Sequence, residues 1–312
     1  MKEILRKKLY AYLDTRDEFK KHSFVINKEQ EKISKNVLDV ARQVSQSDNK
    51  PITMILGVMP RAGTVFMGHL LSLHEKFHLH PNELWEVPVL SPINNLLAYE
   101  RDFFSGYPPN RDRMLPHDLL PLFGCGIAAY FNHFVEPGKQ ALIKETDVQN
   151  LNYLPTLFPG IRVLLMLRDG RDLVHSTIKS WPHRKFDEVC HTWATCTQSV
   201  IDFNKRHQHD NNVMLVKFEN VLDEKEKFVR DFCAQFNMNT EQYAFDKIND
   251  IGVLGSSTLK KGENVDWKPI EKPKGFRPTG HWLNWSVKQK QVFKKIAGDV
   301  LIASGYATDQ LW

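Results

Sequence analysis

Two short segments of the chain carry residues suited to holding negative charge. They are Pro60-Arg61-Ala62-Gly63-Thr64 and Leu167-Arg168-Asp169-Gly170-Arg171-Asp172, with Ser176 following the second. In each, an arginine stands where an apolar run stops, close to a glycine, just before a helical pattern begins. Unpaired backbone N–H groups and the positive end of a helix dipole converge at such a turn. A guanidinium adds a planar fork of donors to them. Two turns with differently placed cations point to a ligand bearing two separate anionic groups. The first turn is not a nucleoside-triphosphate loop, which reads G-x-x-x-x-G-K-[ST] with its Lys on the phosphates and its hydroxyl on Mg²⁺. Here Gly63 is followed by Thr64 and Val65, and the cation comes earlier, at Arg61. ATP hydrolysis is thereby disfavoured.

The elements that must position these turns follow from the apolar pattern. Ile52 to Gly57 reads as a buried strand and Thr64 to Leu73 as the helix after it. Ile161 to Leu167 reads as a second strand, with Asp172 to Lys179 as its helix. Ala141 to Lys144 and Val213 to Phe218 add further strands. Strands alternating with helices imply a parallel sheet covered on both faces, with ligands at the carboxyl ends of its strands. Residues 74–137 show no clean periodicity and are loaded with Pro and aromatic residues. On an α/β scaffold, a segment of this kind is expected to carry substrate selectivity. In residues 1–50, Ile4, Leu5, Leu9, Tyr12 and Leu13 recur at helical spacing, as do Ile33, Val37, Val40 and Ala41. They predict two amphipathic helices packed on a main domain over residues 51–312.

Composition narrows the classes. At 312 residues, the chain buries a full core without needing a disulfide or a metal. A net charge of +5 is mild, and its telling cations sit inside the anion turns, which fits a small polyanion and gives no reason to invoke nucleic acid. Four cysteines, Cys125, Cys190, Cys196 and Cys233, show no paired spacing and read as reduced core residues of a cytoplasmic protein. No apolar run approaches membrane-spanning length, so no membrane association is expected. Thirteen histidines form no ligand pattern of fixed spacing, and no metal is expected; His80, His117 and His133 are those placed to touch an acceptor.

The turn at Pro60 to Thr64, continued by Val65-Phe66, resembles the 5′-phosphosulfate loop, P-[RK]-[ST]-G-T-T-x, of sulfotransferases that use 3′-phosphoadenosine 5′-phosphosulfate (PAPS). It departs from that pattern at Ala62 and Val65. Arg168 with Ser176, eight residues on, resembles the 3′-phosphate motif of the same family. Lys260-Lys261-Gly262-Glu263-Asn264-Val265-Asp266-Trp267-Lys268 is similar to its R-K-G-x-x-G-D-W-K segment. Val216-Lys217-Phe218-Glu219-Asn220 and the closing Ser304-Gly305-Tyr306 complete a resemblance over roughly residues 52 to 306. It implies a three-layer α/β/α sulfotransferase fold with a central parallel sheet. It further implies transfer of a sulfuryl group from PAPS, leaving adenosine 3′,5′-bisphosphate (PAP), to a hydroxyl or amine of a small-molecule acceptor, with no metal required. The alternatives are a carbohydrate or glycan sulfotransferase and a non-catalytic PAPS- or PAP-binding protein.

Residue roles follow from the resemblance. Arg61, with the backbone of Ala62, Gly63 and Thr64 and the Thr64 hydroxyl, is expected at the leaving phosphate, next to Val65. Arg168 and Ser176 are expected on the 3′-phosphate, closed over by Lys260, Lys261 and Gly262 from a capping loop at 255–277. Phe66 and Phe218 are expected against adenine, where Phe218 replaces the usual Tyr. Arg171 reads as a structural ion-pair partner. Cytosolic members use as base a His two residues after a Lys; from Lys144 that spacing lands on Thr146. Other branches place a Glu after the first helix, which here makes Glu83 the expected base, with Glu86 second and Asp147 third. The mismatch with hormone-type members points to secondary metabolism.

Overall fold

The computed structural model describes residues 51–312 except 108, 110–114, 116, 254, 256–258, 260–269 and 272, and all of these lie within one unit, Ile33–Trp312. The helices expected over residues 1–50, the triplet Lys260, Lys261 and Gly262, and Trp267 lie outside the described residues.

In chain order, β1 is Thr53–Gly57, α1 Thr64–Leu71, β2 Phe77–Leu79, α2 Ile93–Ser105, α3 Leu120–His133 and β3 Gln140–Glu145. After them come α4 Leu154–Leu157, β4 Arg162–Leu167, α5 Gly170–Ser180, α6 Phe186–Arg206, β5 Val213–Lys217, α7 Phe218–Asp223, α8 Lys225–Gln235 and α9 Val287–Ala303. The five strands form one all-parallel sheet in the order β2-β3-β1-β4-β5. The strand expected at Ile161 starts one residue later, and the helix expected from Asp172 begins at Gly170.

Alternation along the central strands builds the two cores. Met54, Leu56, Ile143, Val163 and Leu165 face one side, against Leu173 and Val174 of α5, Trp193 and Phe203 of α6, and Phe293 of α9. Ile55, Leu142, Leu164 and Met166 face the other, against Met67 and Leu70 of α1, Phe218 of α7, and Phe228 and Phe232 of α8. A helix layer covers each face, as a parallel sheet requires.

The stretch at 74–137, which shows no clean periodicity in sequence, contains the short edge strand β2 and the helices α2 and α3. The reason is visible in α2. Its inward face carries Ile93, Leu96, Leu97 and the carboxyl of Glu100, whereas Tyr99 and Phe103 are exposed, so apolar residues lie on both faces and no single stripe announces the helix.

Strand order also fixes where a ligand belongs. From β1 the chain leaves toward β2 and β3; from β4 it leaves toward β5. The connections diverge between β1 and β4, and the crevice at their carboxyl ends is the topological switch point. Both arginine turns lie there.

Candidate active site at the switch point

The first turn is tight. Val58 donates its N–H to Met166 O at 3.3 Å, tying the end of β1 to β4, and Ala62 N donates to Met59 O at 3.2 Å. Gly63 caps α1 at φ 98°, a conformation that favours glycine. A Cβ placed there would stand 2.5 Å from a ring carbon of Phe218, so the turn also needs glycine for close approach. Phe218 is buried on this turn and meets Phe66 edge-on at 6.0 Å between centroids. Ala62 and Thr64 are buried, and Val65 is half-buried.

The two turns are joined by their arginines. Arg168 donates through one terminal nitrogen to Arg61 O at 2.6 Å and through the other to Pro278 O at 2.6 Å. Its guanidinium lies 5.0 Å from the Phe218 ring centroid, and its Nε is buried with no hydrogen-bond partner among the described residues. Arg61, itself at a left-handed φ of 79°, donates from Nε to Ser176 Oγ at 3.2 Å and from a terminal nitrogen to Gly255 O. Arg61, Arg168 and Ser176, expected on separate groups of one ligand, are thus in one connected network. Gly255, the first residue of the segment expected to cap the site at 255–277, accepts from Arg61, and Pro278, one residue beyond its end, accepts from Arg168.

Two like charges held in a partly dry crevice weaken each other's hold on protons. Burial, and secondarily the Arg168 charge, bring the Arg61 guanidinium down to about 10, so it stays a cation at neutral pH. Burial also lowers Arg168, which Glu219, Asp172, Tyr306 and Asp169 oppose.

Those opposing groups form a supporting shell, and the sequence reading assigned roles to none of them. Glu219 accepts from Asp169 N–H at 3.0 Å and from the Tyr306 hydroxyl at 2.8 Å; burial raises its carboxyl above the usual range. Asp172 accepts the N–H groups of Gly280 at 2.7 Å and His281 at 2.8 Å, docking the C-terminal segment onto α5. Their signal lay in the motifs themselves: Glu219 and Tyr306 both fall inside segments that match the family pattern. Arg171 forks onto Asp169, donates to Tyr306 O and lies 4.1 Å from the Trp282 ring centroid, which makes it structural.

Around the carboxylates expected to face an acceptor, four backbone N–H groups sew the segment after β2 to β3. His80 donates to Leu142 O at 3.3 Å and Val87 to Lys144 O at 2.9 Å, and Leu90 donates to the Glu145 carboxylate at 3.2 Å. The Glu145 carboxylate also accepts from Val89 N–H at 3.1 Å. Between those seams, Glu83 is exposed on a left-handed residue, and its carboxylate makes no contact among the described residues. Glu86 is engaged by the ammonium of Lys144 at 2.5 Å; the Lys144 side chain is 2% exposed and that of Glu86 46%. Asp147 closes its own turn by accepting from Gln149 N–H at 2.7 Å. His117 lies near buried Glu100, and His133 packs on Phe134.

Comparisons with known proteins identify the family. The model of the sulfotransferase family matches residues 51–242, well over half of the chain. Among solved structures, the sulfotransferase domain of the Synechococcus PCC 7002 olefin synthase is similar at 14% identity over 80% of this chain and 95% of that one, with a TM-score of 0.46. A mouse sulfotransferase complexed with PAP is similar at 11% identity over 83% and 86%, with a TM-score of 0.47. Retinol dehydratase in complex with retinol and PAP is similar at 13% identity over 86% of each chain, with a TM-score of 0.44. These likenesses are too distant to bear on the acceptor. No curated protein matches the sequence. The family match spans both arginine turns, the switch point between them and the Phe218 contact, and the chain belongs to the sulfotransferase family.

Proposed function

We propose that this sulfotransferase uses PAPS as donor and sulfates a hydroxyl or amine of a small-molecule acceptor. The observation that carries the donor assignment is the pairing of a half-buried cation, Arg61, with a buried one, Arg168, at the switch point, with the Arg168 Nε unpartnered among the described residues. Such a pair is stabilised by a ligand with two anionic groups. Arg168, with Ser176, is assigned to the 3′-phosphate. Arg61 and the Ala62, Gly63 and Thr64 turn are assigned to the 5′-side, next to Val65. Phe66 and Phe218 supply apolar wall for the base, and Lys260, Lys261 and Gly262 are assigned to the cap over the 3′-phosphate.

PAPS supplies an activated sulfuryl group on a phosphate leaving group. By analogy with phosphoryl transfer, negative charge grows on the leaving oxygen as the bond loosens. Arg61 and the oriented N–H groups of its turn oppose that growing charge, which accelerates transfer because the interaction strengthens on the way to the transition state. The acceptor proton leaves to the turn between Leu79 and Val87, which carries Glu83 and Glu86. The exposed aromatic residues Trp85, Tyr99, Phe103 and Tyr130 support a small apolar or aromatic acceptor over a glycan. Buried thiols at all four cysteines are in keeping with a cytoplasmic enzyme, and the mismatch with hormone-type members favours a role in secondary metabolism.

Titration calorimetry with PAP, 5′-AMP and 3′-AMP tests the donor assignment. Each phosphate held by charge-assisted bonds is worth about 1.5–3 kcal/mol per bond, so PAP should bind at least about tenfold more tightly than either monophosphate. Equal affinities for PAP and 5′-AMP sink it.

A further inference from the structure

The turn after β2 holds His80, one of the three histidines expected to touch an acceptor. His80 Nδ1 lies 3.1 Å from Leu84 O. A carbonyl only accepts, so Nδ1 carries the ring proton, and the neutral ring presents a bare lone pair at Nε2. That Nε2 is buried and has no hydrogen-bond partner among the described residues. Leaving a buried acceptor unmatched is costly, and such groups are kept where an incoming ligand supplies the donor.

The ring is otherwise fixed. The His80 backbone N–H is tied to Leu142 O, and the ring stacks on Trp85 at 4.7 Å between centroids. Trp85 is itself 52% exposed, so the imidazole lies one side-chain layer from solvent. His80, Asn82 and Glu83 sit at φ 59°, 55° and 59°, a cluster of left-handed backbone of the kind that persists at functional sites. His80 directly follows β2, so it lies at the same carboxyl edge of the parallel sheet as the arginine turns. Leu79, the residue before it, reaches within 3.1 Å of where a Cβ on Gly68 would stand, on the helix whose N-terminus is the Arg61 turn.

We propose that His80 Nε2, rather than Glu83, takes the proton from the acceptor. As the acceptor oxygen bonds to sulfur, its O–H proton passes to the Nε2 lone pair. The sulfur–oxygen bond to the 5′-phosphate breaks, and its electron pair stays on that phosphate. The ring becomes an imidazolium with both nitrogens protonated and returns the proton to water after product leaves, so no further reactant is needed. Burial and the Lys144 charge, with a lesser contribution from His69, hold the free ring down to about 4, so it is neutral across the physiological range. An acceptor hydroxyl that donates to Nε2, and a polyanionic donor bound at this carboxyl edge, raise that basicity toward the range that favours proton transfer. Glu83, by contrast, is exposed, and no contact aims its carboxylate.

The inference rests on the sulfuryl-transfer reading. His80→Gly is the test, because glycine adopts φ 59° without strain and leaves a void the size of imidazole. PAP release from PAPS is measured with water and with a pool of phenols, alcohols and amines as acceptors, and PAP affinity by calorimetry. The expected result is PAP affinity within about threefold of the parent, turnover down by about 10²–10⁴, and saturable recovery with added imidazole. Parent-like turnover in His80→Gly overturns the proposal, as does a loss that imidazole leaves untouched while Glu83→Gln is dead. If His80→Gly does not fold, His80→Asn, which also accepts left-handed backbone, takes its place. Lost turnover with PAP binding kept then supports the role, and full turnover overturns it. A parent enzyme that binds PAP but never releases it from PAPS overturns the sulfuryl-transfer reading itself, a different outcome.

Discussion

Arg61 and Arg168 touch, yet their surroundings give them different work. Arg61 reaches Ser176 and Gly255 from the turn that opens α1, where the proposed mechanism puts the leaving phosphate. Arg168 is buried, braced by carbonyls at Arg61 and Pro278 and opposed by Glu219 and Asp172. In the proposed mechanism its contact is the same before and during transfer. Arg61→Ala should therefore lower kcat by about 10²–10³ with little change in the KM for PAPS. Arg168→Ala should act chiefly on PAP affinity and on thermal stability, because it leaves buried carboxylates without their cation. Arg168→Lys keeps the charge but not the fork and should fall between. Calorimetry and PAP-release kinetics on the three variants separate these roles; loss of turnover at saturating PAPS in Arg168→Ala with an unaffected Arg61→Ala exchanges them.

Among the elements, the junction of α1 with its preceding turn is the least tolerant. Gly63 combines a φ of 98° with a Cβ position only 2.5 Å from the Phe218 ring. Alanine there strains the backbone, at a cost of roughly 1–3 kcal/mol, and pushes on a ring that also contacts Phe66 and Arg168. Gly63→Ala should weaken PAP binding by at least about tenfold and lower the melting temperature, with α1 still formed by circular dichroism. Unchanged PAP affinity in a folded Gly63→Ala protein refutes the view that this turn embraces the ligand. The helix α2 teaches a complementary lesson. It buries Glu100, which accepts from Leu119 N–H at 3.0 Å, and leaves Tyr99 and Phe103 at the surface.

For the whole molecule, buried carboxyls set how stability changes with pH. Burial raises Glu145 to about 8 despite the N–H groups of Val89 and Leu90. In the unfolded chain this carboxyl releases its proton near its ordinary value of 4.5. Between these values the folded state holds a proton that the unfolded state has lost, so stability falls as pH rises and levels off above about 8. His80 works the other way. Its ring, depressed to about 4 from 6.5, makes stability rise with pH between those values, so the two slopes oppose each other there. A net decline should stand out from about pH 6.5 to 8, at up to roughly 1.4 kcal/mol per pH unit for one proton. Urea denaturation across that window measures it, and Glu145→Gln should flatten the slope even if it lowers stability overall. An identical slope in Glu145→Gln removes Glu145 as its source.

The sequence by itself determined what depends on neighbours along the chain. The runs at Thr53–Gly57 and Arg162–Leu167 announce buried strands, because every residue in them is apolar or able to sit in a parallel sheet. The turns after them announce an anion site, because glycine, arginine and a helix start occur at fixed short spacing. The family pattern followed from those same residues. Tertiary structure decided what depends on residues far apart in sequence. The strand β2 is only three residues long and pairs with β3, some sixty residues on, so no local period marks it. The outward aromatic face of α2 defeats a rule that assumes apolar residues turn inward. Glu86 reads as a free carboxylate until Lys144, from another strand, occupies it. His80 is one of thirteen histidines in the sequence. Only the folded turn sets its Leu84 carbonyl against Nδ1 and leaves Nε2 buried and bare, because a tautomer is chosen by whatever lies within hydrogen-bond reach.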